Sequence, residues 1–448
     1  MSYLFKSGTI IALDPPSVER GDVRVEGGRV IERASQLGAR EGEEIIQLNG
    51  KFVMPGMVCG HTHLYSALAR GMPAPPRAPL NFTEILQLIW WRLDRALDEE
   101  TVYWSAVAGA LDAVYAGTTC LFDHHASPSF VSGSLRLVRE AIQKVGLRAV
   151  LCYEVTDRGG TRKRDEGVEE NRGFLKLLAS QTLQTPGSES KSSTRNHALF
   201  RGMVGAHASF TLSDKSLDLC AALMREFEAG LHIHVAEDSC DVEDAREKYG
   251  LGVVERLASH GALNSKTILA HGTHLNDREI ELARDAGVWF AHNPRSNMNN
   301  QVGYAPVAKF GERVVLGTDG IGGDMFEEAR TAFFKGRDAQ TRFEPSDWVR
   351  VLANNQRMAS SAFGVDLNGL QAGSAADLIV LDYDSPTPLT DQNLAWHLVF
   401  GLTSASVESV MVAGRFIVRD RVAALDHEDI YAEARKASEK LWAKLRES

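Results

Sequence analysis

The chain has 448 residues, 44% of them hydrophobic and 24% charged, enough to build a large buried core. Its 49 basic and 59 acidic side chains give a net charge of −10 with no basic stripe, which argues against nucleic acid or an anionic membrane as a partner. The 5 cysteines are scattered and form no C-x-x-C pair, which excludes a disulfide framework and a structural zinc knuckle.

The opening MSYLFKSGTIIALDPP does not read as a secretory signal, because Lys6 breaks the apolar run and Asp14 follows without a small-residue cleavage site. No stretch approaches the roughly 18 apolar residues of a membrane span. A reduced, cytoplasmic protein is the expectation. TIIAL, DVRVEGGRVIER and EEIIQLNGKFVM predict short strands, with GGR and NGK as hairpin turns. Residues 370–422 have the same texture, in ADLIVLDY and VESVMVAGRFIVRD, with AGR as a further turn. The expectation is a small β-sandwich domain built from both termini, residues 1–54 plus 370–425.

Between these ends, over 55–369, eight apolar runs alternate with helical stretches. They are FVMPGMVCGHTH, TTCLFDHH, LRAVLCYEV, FRGMVGAH, GLHIHVAE, TILAHG, VWFAHN and RVVLGTD. Eight such units favour an α/β fold with a (β/α)₈ TIM-like barrel over an open doubly wound sheet. Residues 158–196 interrupt the rhythm, first charged and helical, then as an exposed loop, TPGSESKSSTRN. Residues 426–448 carry a terminal amphipathic helix, HEDIYAEARKASEKLWAKL.

The runs end in chemistry. His61 and His63 lie two residues apart on one strand, so both imidazoles face one side and can grip one ion. His125 closes the second run, and His207 the fourth. In LHIHVAE, His234 is the expected ligand and Glu237 the proton carrier where the strand turns into a loop; His232 is expected to be a packed barrel residue. His271 ends the sixth run, with His274 beyond it expected to be structural, and Asp319 ends the eighth as a fourth ligand. Barrel active sites sit at the C-terminal ends of strands, so these groups should converge on one mouth. Two-metal barrels need a bridging Lys or Glu at the end of strand four; here that strand ends Gly205-Ala206-His207-Ala208, which favours one divalent metal ion. Zinc suits this ligand set, and iron or manganese could occupy it. His207, His125, Trp91 and Asn297 are candidate substrate contacts. Trp90 and Trp91 read equally well as aromatic wall or as core, and Arg295 as an anion contact or an outside residue.

PGMVCGHTH, HIHVAE, ILAHG, HNPRSN and LGTDG, in that order, with LQAGSAADLIVLD near the end, resemble the deaminase and chlorohydrolase branch of the amidohydrolase superfamily. WWRLDRALDEE, DHHASP, RSNMNNQVGY, GTDGIGGDMFEE and DYDSPTPL resemble the SsnA-type aminohydrolases nearly end to end. The resemblance implies metal on His61, His63, His234 and Asp319, Glu237 as proton shuttle, His271 as the residue that positions water, and a homodimer. The chain departs from the branch at Met298-Asn299-Asn300 and in the short loop Gly320–Asp324, both expected at the substrate mouth. The expected activity is deamination of a small cyclic amidine or N-heterocycle, purine-, pterin- or triazine-like. Chlorohydrolase or amide hydrolase chemistry at the same site, and a non-catalytic metal-binding accessory role, stand as alternatives.

Overall fold

The computed structural model describes residues 1–183 and 199–447, so the loop expected at 185–196 lies outside the described residues. Five strands open the chain: β1 (Ser2–Leu13), β2 (Pro16–Glu26), β3 (Arg29–Ala34), β4 (Glu44–Gln47) and β5 (Phe52–Pro55). The barrel strands follow, β6 (Met57–Thr62), β7 (Thr118–His125), β8 (Arg148–Val155), β9 (Phe200–Gly202), β10 (Val204–Ala208), β11 (Leu231–Val235), β12 (Ile268–His271), β13 (Trp289–His292) and β14 (Val314–Leu316). The chain ends with β15 (Leu378–Leu381), β16 (Val407–Val412), β17 (Arg415–Arg419), β18 (Val422–Ala423) and a helix over His427–Glu447.

The terminal strands form one mixed sheet in the order β18-β17-β16-β15-β5-β1-β2-β3, with β4 also on β1. Gly27 and Gly28, both with positive φ, turn β2 into β3, and Ala413-Gly414 turns β16 into β17, as GGR and AGR predict. NGK does not make a hairpin. β4 and β5 both run parallel to β1, at Tyr3–Lys6 and at Thr9–Ile10, so Asn49-Gly50 moves the chain along one edge of β1 and does not reverse it.

FVMPGMVCGHTH divides at Gly56, with β5 in the terminal sheet and β6 in the barrel. A Cβ on Gly56 would come within 2.3 Å of the Thr119 side chain, so the crossing needs glycine. All neighbouring barrel strands pair in parallel, β6-β7-β8-β10-β11-β12-β13-β14, with β9 lying against β8. A parallel bridge between Thr62 and Asp319 brings the first and last strands together. Thr318 and Asp319 donate backbone N–H to the His61 carbonyl, and His63 donates back to that of Asp319. Amphipathic crossover helices bury an apolar face. Over Ser134–Val145 this is Leu135, Val138, Ala141, Ile142 and Val145, and Gly146 at φ 100 stops the helix. Asp98 and Thr101 cap the helix Glu99–Tyr115 reciprocally.

The two sheets are joined at depth by a fork: Arg148 of β8 donates to both oxygens of Asp377, just before β15, at 2.6 and 3.0 Å. Among the described residues no helix is long and apolar enough to cross a membrane.

Candidate active site

β6 and β11 are short, fully buried strands whose alternation aims His61 and His63, and His232 and His234, at the barrel axis. Each imidazole is then oriented by its other nitrogen. His63 donates Nδ1–H to the His124 carbonyl at 2.5 Å and His234 donates Nδ1–H to the His207 carbonyl at 2.8 Å, which leaves both Nε2 atoms bare and 3.1 Å apart. His61 Nδ1 meets Nε2 of His232 at 2.8 Å, so a proton on the former leaves the His61 Nε2 lone pair free, and that atom is buried without a hydrogen-bond partner. Asp319 Oδ1 lies 2.9 Å from His63 Nε2 and 3.4 Å from His61 Nε2. One donor atom from each of His61, His63, His234 and Asp319 falls within 4.8 Å of the others. Three imidazoles and a carboxylate at that spacing fit a divalent cation.

Electrostatics favour the same composition. Burial pushes His61 down to about 3 and His232 and His234 well below their usual range. Burial also opposes charge on His63, but the Asp319 carboxylate beside it pushes the imidazole up to about 9. Burial alone would raise Asp319; His61 and His63 hold it well below the carboxylate range. The cluster thus sets an ionised carboxylate among two imidazoles that burial keeps neutral, His61 and His234, and a third, His63, whose proton Asp319 favours until a cation takes its place.

Beside it stands a second group, Glu237, His271 and Asp319. His271 donates Nδ1–H to Asn297 Oδ1 at 2.8 Å, and its Nε2 lies 3.6 Å from Glu237 and 4.0 Å from Asp319. Asn300 Nδ2 donates to Glu237 at 3.0 Å, and the Ser296 hydroxyl donates to Asp319 Oδ2. The short helix Pro294–Asn299 and the residue after it therefore aim all three members. Burial raises the Glu237 carboxyl above its usual range. His271 and Asp319 both have positive φ, 73° and 52°, a conformation costing on the order of 1–3 kcal/mol that tends to collect at functional sites.

His63, His234, Glu237 and Asp319 floor a cleft walled by Phe82, Leu86, Trp90, Trp91 and Phe210. His207 lines it; His125 and Asn297 do not. His125 is fully buried, donates Nε2–H to Ser127 at 2.8 Å and sits edge-on to Tyr65 and Tyr153, while Asn297 is occupied with His271. Both expected substrate contacts thus bond to protein groups and are not among the side chains that line the cleft. Both tryptophans face the cleft, and Trp91 is also stacked under the Arg158 guanidinium, 4.7 Å from its ring centre. His274 donates to the Val302 carbonyl, and Arg295 pairs with Glu327 and Glu328 outside the cleft.

Sequence reading passed over Asp94 and Glu154. Both line the cleft, and Arg158 Nη2 bonds to each at 2.9 Å. Burial opposes charge on Glu154, but His207, His124 and Arg158 hold its carboxyl well below the ordinary range; burial pushes Asp94 up to about 6. A strand-end acid in LRAVLCYEV was the available signal.

The Amidohydrolase family profile matches residues 52–417. The chain is 30% identical to a 5-methylthioadenosine/S-adenosylhomocysteine deaminase of Thermococcus sibiricus, over 93% of this chain and 94% of that one. It is also 30% identical to a 5'-deoxyadenosine deaminase of Methanosarcina mazei, over 99% of both. Among solved structures it resembles a zinc-bound adenosine deaminase from Xanthomonas campestris, with TM-score 0.83 and 22% identity over 98% of each chain. The zinc-complexed atrazine chlorohydrolase of Arthrobacter aurescens aligns with TM-score 0.81 and 21% identity, over 97% of this chain and all of that one. By sequence across most of its length and by fold throughout, the chain belongs to the amidohydrolase family.

Proposed function

We propose that the protein is a metal-dependent aminohydrolase that removes the exocyclic amino group of a small N-heterocycle. The observation that carries this reading is the His61, His63, His234 and Asp319 cluster standing against the Glu237–His271 pair at the floor of an aromatic cleft. The three histidines and Asp319 would hold one zinc ion. When bound, such an ion supplies Lewis acidity and lowers the pKa of a water molecule.

The chain's own groups divide the proton work. His271, with Nδ1–H committed to Asn297, presents a bare Nε2 that accepts a proton from the attacking water, and Asp319 Oδ2 accepts beside it. Glu237, raised by burial, holds a proton for a ring nitrogen of the substrate and then delivers one to the departing amine. The balance is amidine plus water giving ring carbonyl plus ammonia. The aromatic walls fit a planar ring. The deaminases among the relatives, which carry adenosine-type names, support C–N hydrolysis, and the bound zinc of the structural neighbours supports the choice of ion. A cytoplasmic homodimer completes the reading.

Ammonia release by zinc-loaded protein, over a panel of aminopurines, aminopterins and aminotriazines, tests it, with chloride release from chlorotriazines measured alongside. Glu237→Gln should retain zinc and lose about 10²–10⁴ of kcat. Full turnover in that variant removes Glu237 from the reaction, and chloride without ammonia replaces deamination by dehalogenation.

A further inference from the structure

We propose, building on the aminohydrolase reading, that the substrate is a neutral or cationic amino-heterocycle carrying a ring N–H donor on the edge remote from Glu237, that Glu154 is the residue that selects it, and that adenine nucleosides and anionic compounds are disfavoured.

Position comes first. Of the eight barrel positions β8 is the third and β13 the seventh, which face one another across the ring. Glu237 follows β11, the fifth position, and is bonded to Asn300 in the loop beyond the seventh, while Glu154 lies near the end of the third. Both line the cleft, so a planar ring spanning it would meet Glu237 on one edge and Glu154 on the other.

The Glu154 side of the cleft is built of acceptors. Glu154 Oε1 and Asp94 Oδ2 share the Arg158 Nη2 donor, and Asp94 Oδ1 is buried with no hydrogen-bond partner. Arg158 is thereby committed to the two acids, its guanidinium lying over the Trp91 ring. His124 spends Nε2–H on the Ala206 and His232 carbonyls, both at 3.1 Å, and turns Nδ1 to Glu154 Oε2 at 3.5 Å, so it brings no free donor to the cleft. His207 donates Nδ1–H to Thr211 Oγ1 at 2.7 Å, and the Thr211 hydroxyl spends its own proton on the Ala208 carbonyl. The other His207 nitrogen, Nε2, is left as a lone pair. Buried acceptors cost binding energy unless the ligand brings donors. A lactam-type ring, with N–H beside an amino group, brings them. The adenine of a nucleoside offers only lone pairs at its unsubstituted ring nitrogens.

Charge points the same way. The lining carries Asp94, Glu154, Glu237, Asp238, Asp241 and Asp319 and, among the described residues, no lysine or arginine. A phosphate or carboxylate on the substrate would find no counter-ion in that wall.

The test compares kcat/KM for ammonia release by the zinc-loaded wild type on guanine, isocytosine and 2-amino-4-oxopteridine against adenosine, 5'-deoxyadenosine and adenosine monophosphate. We expect the ring N–H compounds to lead by about 100-fold or more, as sites built around one hydrogen-bond pattern discriminate. Glu154→Gln, which can donate where the carboxylate only accepts, should shrink that ratio by about 100-fold, mainly through KM, with zinc content unchanged. A wild-type preference for adenine nucleosides overturns the proposal whether or not the variant folds, and so does a variant that leaves the ratio where it was. Ammonia from none of these compounds would instead overturn the aminohydrolase reading, a result distinct from activity confined to adenine nucleosides.

Discussion

His61 can offer a cation its Nε2 because His232 occupies its other nitrogen at 2.8 Å. Replacing His232 with leucine should weaken zinc binding about 10–100-fold in a chelator competition while leaving the circular dichroism spectrum intact, the usual size of an outer hydrogen bond to a metal-binding imidazole. Asp94 gives a pH signature. Burial pushes it from 3.8 up to about 6, so between those values the folded chain keeps a proton that the unfolded chain releases. Its contribution to stability is complete below pH 4 and is lost as pH rises through 6. Asp94→Asn should remove that dependence, its stability relative to wild type improving from pH 4 to pH 7 by on the order of 2 kcal/mol in denaturant titrations. At this scale strand-end histidines were legible because a barrel sends all such positions to one mouth. The supports were not, since whether Asn297 meets a substrate or an imidazole depends on where a loop folds back over β12.

Among elements, the fork between Arg148 and Asp377 is the joint between barrel and terminal sheet, with exposures of 0% and 2%. Removing one partner strands a buried charge. Asp377→Ala or Arg148→Met alone should cost about 3–5 kcal/mol in urea unfolding, and the double replacement less than the sum. Each of the eight apolar runs of the middle of the chain supplied a strand of the barrel ring, the first of them after giving Phe52–Pro55 to the terminal sheet, because parallel strands buried on both faces have an unmistakable texture. NGK misled because a turn sequence reports a local bend and says nothing about which strand the chain joins next; that choice was made by β1, which pairs with both β4 and β5.

For the molecule as a whole, the seam between β6 and β14 matters most. β14 is only three residues long, and the few backbone bonds from His61, His63, Thr318 and Asp319 close the ring where the cation site lies. A bound ion would tie the two strands together across the whole intervening sequence. Stripping metal with a chelator should therefore lower Tm, and zinc at 100 times its dissociation constant should restore about 2.7 kcal/mol. A melting temperature indifferent to zinc would remove the ion from the closure.

The woven ends carry a consequence for how the protein is made. β5, emerging early from the ribosome, has β15 as one of its two neighbours, and that partner is more than 300 residues behind it. A nascent chain can assemble helices and neighbouring barrel strands as they appear, but the platform beneath them stays unfinished until β15 has been made. Ribosome-stalled chains ending before Leu378 should be held by chaperones, and release should come only after the last strands clear the exit tunnel.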